Sequence, residues 1–360
     1  MKRVLISGYL GFENFGDEVL LYTLIRDLLR TGYKIQDISV ISNNPRKTTA
    51  SYRMFSIDRW NFLDVINAIL RTEAIIFIGG LFQDKTSFKS FLYYFFQLFL
   101  GNLFRKEVVL YGAGIGPFEK TITESLFNFG IRNVRFITVR DQESQNFLPN
   151  KKNAQVTIDP AWSIMPDFTF QKKIPNINWQ LPIVGVSIRN DKHLKQKHLD
   201  ELAEKLSRIL TGMKDWQILL LPCMPQEDLP FLTELYDLIT RKMTAQSRVF
   251  VLETFNRFPI SQQAGILASC DAMIGMRYHA LLIPLANGKP VFGLIFDQKV
   301  KSLLDFSEQT GSSFKDDMNQ PWNYFWQNLQ YSSEAAKQTR QKALQLHRKN
   351  IELLRTLYNT

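Results

Sequence analysis

"RVLISGYLGFENFGDEVLL", residues 3–21, sets the architecture of this chain. Its first part, "RVLISG" (3–8), is an apolar run of strand length. Gly8, Gly11 and Gly16 then permit a tight turn and close backbone approach. Asp17 and Glu18 follow, where carboxylates favour a helix N-terminus, and residues 17–30 carry helical periodicity. A buried strand, a glycine turn and a helix make one β-α step. The glycine spacing is not G-x-G-x-x-G, so no dinucleotide is inferred. The turn is either a packing device or a helix N-terminus offered to an anion or a hydroxyl, with Asn14 and Asp17 in it.

The same step recurs along the chain. Strands are expected at 3–8, 37–42, 74–79, 107–112, 135–140 and 155–159, with helices at 17–30, 61–71, 86–104 and 121–132 between them. Near-continuous Val, Ile and Leu in each run fit strands covered on both faces of a parallel sheet. Residues 160–182 hold four prolines and no clear period, which marks a boundary. The alternation then resumes, with strands at 183–189, 217–222, 248–252, 271–275 and 290–296. Helices are expected at 196–211, 226–241, 260–269, 278–287 (kinked at Pro284) and 298–305. A polar stretch, 307–322, precedes a long basic helix at 333–358. The predicted fold is α/β and GT-B-like: two doubly wound Rossmann-like domains, a central cleft and a long C-terminal helix. Residues 1–165 form the first domain, 166–325 the second, and 326–360 a helix packing back on the first. Ligands are expected outside the carboxyl ends of the strands.

The chain has 360 residues and a net charge of +10, which suggests anionic partners. The cations are scattered and no nucleic-acid module is recognised, so phosphorylated ligands and a membrane surface are preferred over nucleic acid. Cys223 and Cys270 sit in apolar surroundings and read as buried thiols of a cytosolic protein. Four histidines without ligand spacing give no metal site. His193 and His198 lie in a Lys-rich stretch and read as solvated; His347 reads as structural or solvated. The N-terminus does not read as a signal peptide. The most apolar segment, 86–104, is too interrupted to span a bilayer. Ser90, Tyr94, Gln97, Gly101 and Arg105 would form a narrow polar stripe on it, so it is either a core helix or one that rests on a membrane.

Residues just beyond the strands carry the chemistry. In the first half these are Gln83 and Asp84 after "AIIFIGG", the glycines of "YGAGIGPF" (111–118), and Arg140 followed by Asp141, a helix cap. In the second half, Arg189, then Arg277 with His279, then Asp297 with Lys299 follow three strands. Guanidinium groups offer paired donors to carboxylate or phosphate, so this coincidence points to an anionic ligand. A lone histidine beside an apolar helix is usually a core residue; one two places from an arginine at a strand end reads as reactive.

At these residues the sequence resembles the polysaccharide pyruvyl transferase family, of the CsaB type. The stretches are "GYLGFENFGDEVLL", "GGLFQDKTS", "VVLYGAGIGP", "VRDQES", "DPAW", "GVSIRN" and "MRYHALLIPLANGKPVFGLIFDQKVKSLL", in family order over roughly 3–305. The resemblance implies a GT-B-like fold and transfer of pyruvyl from phosphoenolpyruvate to two hydroxyls of one sugar as a cyclic ketal, with release of phosphate. It implies donor binding or catalysis for Arg140, Arg277, His279 and Lys299, and an acceptor that is commonly lipid-linked. Asn14, Asp17, Gln83, Asp84 and Arg189 are the acceptor-binding candidates. No cofactor is expected beyond the donor substrate phosphoenolpyruvate. The expected location is cytoplasmic, at the inner face of the cell membrane, and a homo-oligomer is compatible with the reading. Tyr278 stands where leucine is usual, Ala113 where glutamine or asparagine is, and the glycine run before Gln83 is one residue short. Two rivals remain: a GT-B glycosyltransferase that takes a nucleotide sugar, and a non-catalytic sugar- or phosphate-binding relic.

Overall fold

The computed structural model describes residues 2–149, 154–191, 194–242 and 248–358. The chain divides into two compact units, Met1–Ser163 with Ala343–Thr360, and Ile164–Lys342.

Unit 1 is a seven-stranded parallel sheet. Its strands are β1 (Val4–Ser7), β2 (Ile38–Ser42), β3 (Phe55–Asp58), β4 (Ala74–Ile78), β5 (Glu107–Ala113), β6 (Phe136–Val139) and β7 (Ala154–Val156). The order is β3-β2-β1-β4-β5-β6-β7. The central strands β1 and β4 are buried throughout, which is why their sequences are unbroken apolar runs. Helices α1 (Phe15–Arg30), α2 (Pro45–Tyr52), α3 (Phe62–Arg71), α4 (Phe88–Leu103), α5 (Thr121–Gly130) and α6 (Gln142–Asn146) connect them.

Unit 2 repeats the plan with six strands: β8 (Ile183–Ser187), β9 (Gln217–Leu220), β10 (Val249–Val251), β11 (Ala272–Gly275), β12 (Val291–Leu294) and β13 (Thr310–Ser312). The order is β10-β9-β8-β11-β12-β13. Its helices are α7 (Gln196–Gly212), α8 (Pro225–Arg241), α9 (Ile260–Ala268), α10 (Tyr278–Leu285), α11 (Gln298–Ser307) and α12 (Asn319–Gln327). A last helix, α13 (Leu329–Tyr358), begins in unit 2 and ends in unit 1. In unit 1 its end is fastened by buried polar contacts. His347 Nε2 lies 3.0 Å from Asp27 Oδ2, Tyr111 donates to the same oxygen, and Asn350 donates to the Ile158 carbonyl. His347 is therefore structural.

Several expectations are corrected. β3 and α2 fall between 43 and 60, where no element was expected. β3 is an edge strand with one buried residue, Ile57, so it lacks the apolar run that marks the others. β13 and α12 fall within or beside the polar stretch 307–322, again at a sheet edge. Pro284 sits in the last turn of α10, where the helix ends rather than kinks. His198 is buried: its Nδ1 accepts from Lys195 N and its ring stacks on Phe314. His193 lies outside the described residues.

The polar stripe of α4 turns inward. Tyr94, Gln97 and Gly101 are buried. Ser7 Oγ of β1 donates to Gln97 Oε1 at 2.7 Å. A Cβ on Gly101 would meet Val108 at 2.9 Å and Ile75 at 3.0 Å, so the glycine lets the helix lie close on the sheet.

Candidate functional site

Strand order reverses between β1 and β4 in unit 1 and between β8 and β11 in unit 2. In open α/β sheets ligands bind beyond the carboxyl ends of strands at such a reversal. The residues singled out by the sequence lie beyond these strands or their near neighbours.

In unit 2, Arg189 follows β8, Arg277 and His279 follow β11, and Lys299 follows β12. Arg277 is the N-cap residue of α10 and His279 lies in the first turn of that helix. The Arg277 guanidinium is fixed by carboxylates. Its Nε donates to both oxygens of Asp228 (3.0 and 2.8 Å), and its Nη2 donates to Asp228 Oδ1 and to Glu227 Oε2 (2.9 Å). Asp228 has no exposed surface. Burial works to lower the Arg277 pKa, but the hydrogen bonds and charge of Asp228 outweigh it and hold the pKa above its ordinary value. Nη1 is the group that Arg277 could turn to a ligand. Behind the pair, Ser187 Oγ donates to Cys223 Sγ, and burial pushes the Cys223 thiol up to about 12, so it stays neutral.

Arg189 Nη2 lies 3.5 Å from Asp297 and 3.7 Å from Asp191. Asp297 also caps α11, accepting from Val300 N, and Lys299 stands in the first turn of that helix. Arg189 thus shares unit 2 with Arg277, His279 and Lys299, whereas Arg140 lies in unit 1. The ring of Tyr278, the departure from leucine, meets the His279 imidazole edge to face at 5.1 Å.

In unit 1, Arg140 follows β6 and is 7% exposed. Its Nε donates to Asp141 at 3.2 Å and its Nη1 to Asp159 at 3.5 Å. A Cβ on Gly114 would lie 3.0–3.2 Å from that guanidinium, so this glycine makes room for Arg140. Each of the three arginines therefore lies against two carboxylates. What they offer a ligand is directed N–H groups more than surplus charge.

The acceptor-side candidates of unit 1 have more varied tasks. Asn14 caps α1: it accepts from Gly16 N and donates to Asp17 at 2.7 Å. Gln83 accepts from Thr86 N. Asp84 is buried and accepts from Glu119 N, Lys120 N and Thr123 Oγ at 2.6–3.0 Å. Burial alone would raise its pKa, but these hydrogen bonds outweigh it and lower it. Asp84 thus ties the start of α5. Of the glycines, Gly112 and Gly116 are demanded by packing, against Pro160 and Phe147.

Two features of this edge escaped the sequence reading. Glu18 accepts from Gly11 N at 2.7 Å and so pins the glycine loop. Burial, with help from Asp17, pushes its carboxyl up to about 7 against the Gly11 hydrogen bond and Lys47. Arg59, one residue beyond β3, is 6% exposed and makes no salt bridge among the described residues. Aromatic rings surround it instead. Tyr93, Phe12, Trp60, Tyr94 and Tyr9 have centroids 4.5–6.0 Å from its guanidinium carbon. Tyr9 and Phe12 stack at 4.0 Å, and Trp60 is exposed with its Nε1 held by Asn43. The signal for Arg59 was the short alternation of "MFSIDRW" (54–60), which marks a strand end.

Two parallel doubly wound sheets define a GT-B-like protein, and solved structures of that class match the whole chain. The Anabaena protein HepE, solved with UDP-glucose, is 13% identical with a TM-score of 0.60 over 100% of both chains. A glycosyltransferase from Rickettsia africae is 12% identical at 0.61, covering 99% of each chain. The UDP-GlcNAc 2-epimerase of Methanocaldococcus jannaschii is 10% identical at 0.63, over 91% of this chain and 92% of that one. These likenesses establish the fold alone. No curated protein matches the chain. The sequence is more specific: residues 14–297 match the polysaccharide pyruvyl transferase family, and the chain belongs to it. That is a family of transferases.

Proposed function

We propose that this protein transfers the pyruvyl group of phosphoenolpyruvate to two hydroxyls of one sugar in a cell-surface polysaccharide or its lipid-linked precursor. The observation that carries this is the family match over 14–297, which takes in Arg140, Arg277 and His279. The donor bears a carboxylate and a phosphate, and fixed guanidinium forks suit both. Arg277, Arg140 and Lys299 are assigned to donor binding. Arg277 is oriented for this by Asp228.

The chemistry asks for a proton on the enol methylene, which leaves an oxocarbenium-like carbon. One sugar hydroxyl adds to that carbon, phosphate departs, and the second hydroxyl closes the ketal. Of the two hydroxyl protons, one is accounted for in the new methyl group and the other leaves with phosphate. We assign proton transfer to His279, a side chain suited to acid–base work near neutral pH. Cations beside the departing phosphate would stabilise its charge. The acceptor side is assigned to the glycine loop of unit 1, with Asn14, Asp17 and Gln83, and to the aromatic rings gathered on Arg59.

Phosphate release from phosphoenolpyruvate in the presence of acceptor glycans tests the reading. We expect turnover in the native protein and a loss of about 10²–10⁴-fold in His279→Ala. Wild-type turnover in a folded His279→Ala would refute the assignment. Calorimetric binding of UDP-sugars with none of phosphoenolpyruvate would favour a nucleotide-sugar transferase instead.

A further inference from the structure

The outer helices of the two units present opposite surfaces. In unit 2, α7 turns only polar residues fully outward, among them Lys197, Asp200, Glu204 and Arg208. In unit 1, α3, α4 and α5 pack side by side as one layer and turn apolar residues outward. Of sixteen exposed large apolar side chains in the described residues, nine lie on these three helices or at Phe104 just beyond α4. Single exposed apolar residues need no explanation, but a concentration of them marks a contact surface. Leu63 is 73% exposed and Leu103 58%.

The orientation of α4 sharpens the point. The helix buries Gln97 and Gly101 and leaves Leu92, Phe99 and Leu103 exposed. The helix also sends Phe91, Tyr94, Leu98 and Leu100 into the core, so it is apolar on both its inner and its outer side.

Charge identifies the occupant. Residues 85–106 contain Lys85, Lys89, Arg105 and Lys106 and no Asp or Glu, and the exposed acids on the three helices are Asp64 of α3 and Glu124 of α5, so cations predominate. Lys89 and Arg105 stand exposed at the two ends of α4, and Arg71 ends α3. An apolar face rimmed by cations fits an interface of acyl chains and anionic headgroups. A second copy meeting α4 against α4 through a two-fold axis would set Lys89 and Arg105 of each copy against cations of the other. Among the described residues no helix is long and apolar enough to cross a membrane, so the layer would lie on the bilayer. The apolar surface also reaches the ligand edge: Phe62, the first residue of α3, packs edge to face on Tyr93, which belongs to the aromatic group around Arg59.

We infer that α3, α4 and α5 form a docking surface for an anionic lipid bilayer. The inference stands apart from the transferase reading, because vesicles free of donor and acceptor can test it. The full chain is sedimented with phosphatidylcholine vesicles, with and without phosphatidylglycerol, at low and high salt. The double variant Phe99→Glu/Leu103→Glu is run beside it, with thermal unfolding as a check on the fold. We expect binding to the anionic vesicles, at least about tenfold weaker on phosphatidylcholine alone and reduced by salt. The double variant should lose about tenfold or more while unfolding as the native protein does. Equal binding by the two proteins, or no vesicle binding by the native one, overturns the inference. If the native protein also forms a dimer that the double variant dissolves, the surface is a self-contact instead.

Discussion

Arg277 and Arg59 are both nearly buried arginines set just past the end of a parallel strand, one in each unit, and they are held by opposite means. Arg277 is gripped by Asp228 and Glu227, so its charge is matched and its direction fixed. Arg59 is enclosed by five aromatic rings and has no carboxylate against it among the described residues. A carboxylate-held guanidinium makes a rigid donor fork, as a small doubly charged substrate requires. A ring-held guanidinium gathers flat apolar faces, as sugar rings require. If Arg277 serves the donor and the rings on Arg59 serve the sugar, as proposed, one kind of scaffold carries two ligand chemistries.

The largest effect expected from breaking this contrast is at the Arg277 pair. Arg277→Met leaves Asp228 buried without its counter-charge and should lower stability by about 3–5 kcal/mol. Thermal or denaturant unfolding measures it. Arg59→Met removes a charge that has no buried partner, losing cation–π contacts but also a desolvation cost. We expect a change within about 1–2 kcal/mol, together with a raised KM for acceptor and an unchanged KM for phosphoenolpyruvate. If Arg59→Met costs as much stability as Arg277→Met, the contrast fails.

A finer test uses Glu18. Burial pushes its carboxyl up to about 7 in the folded protein, against an ordinary value of 4.5. Between those values the folded state holds a proton that the unfolded state has released, so stability falls as pH rises through this window. Glu18→Gln keeps an acceptor for Gly11 N and removes the titration. The variant should gain about 1–2 kcal/mol relative to the native protein on going from pH 5 to pH 8, less than a fully buried group would give. Parallel pH profiles of the two proteins would contradict the assigned environment. The smallest effect is expected at Tyr278→Leu, which removes the edge-to-face contact with His279. It should alter turnover by a few-fold at most, with about 0.5–1.5 kcal/mol of aromatic packing lost.

The fold was legible where strands are buried on both faces, because such strands must be apolar throughout. β1, β4, β8 and β11 read directly from their residues. β3 and β13 did not, since edge strands need only a few buried residues. Position was legible too: Arg140, Arg277, His279 and Lys299 stand just past the ends of β6, β11 and β12, where the sequence placed them. The site was illegible where meaning arises only from long-range packing. Arg277 gains its orientation from Asp228, 49 residues away in the chain. Arg59 gains its rings from β1's loop and from α4. Nothing in the sequence near Asp84 shows that it ties the start of α5, 39 residues on. On α4 the stripe pattern was right, but which side of it met the sheet depended on Gly101 and on Ser7 beneath Gln97.

Pyruvyl transfer can be read from mass spectrometry of the acceptor glycan after incubation with isotopically labelled phosphoenolpyruvate. A labelled pyruvyl increment is expected on the glycan, formed in equal amount with free phosphate and absent with His279→Ala. A glycan that gains no such mass while the native protein is folded and supplied with donor, across the lipid-linked and free acceptors, would contradict pyruvyl transfer.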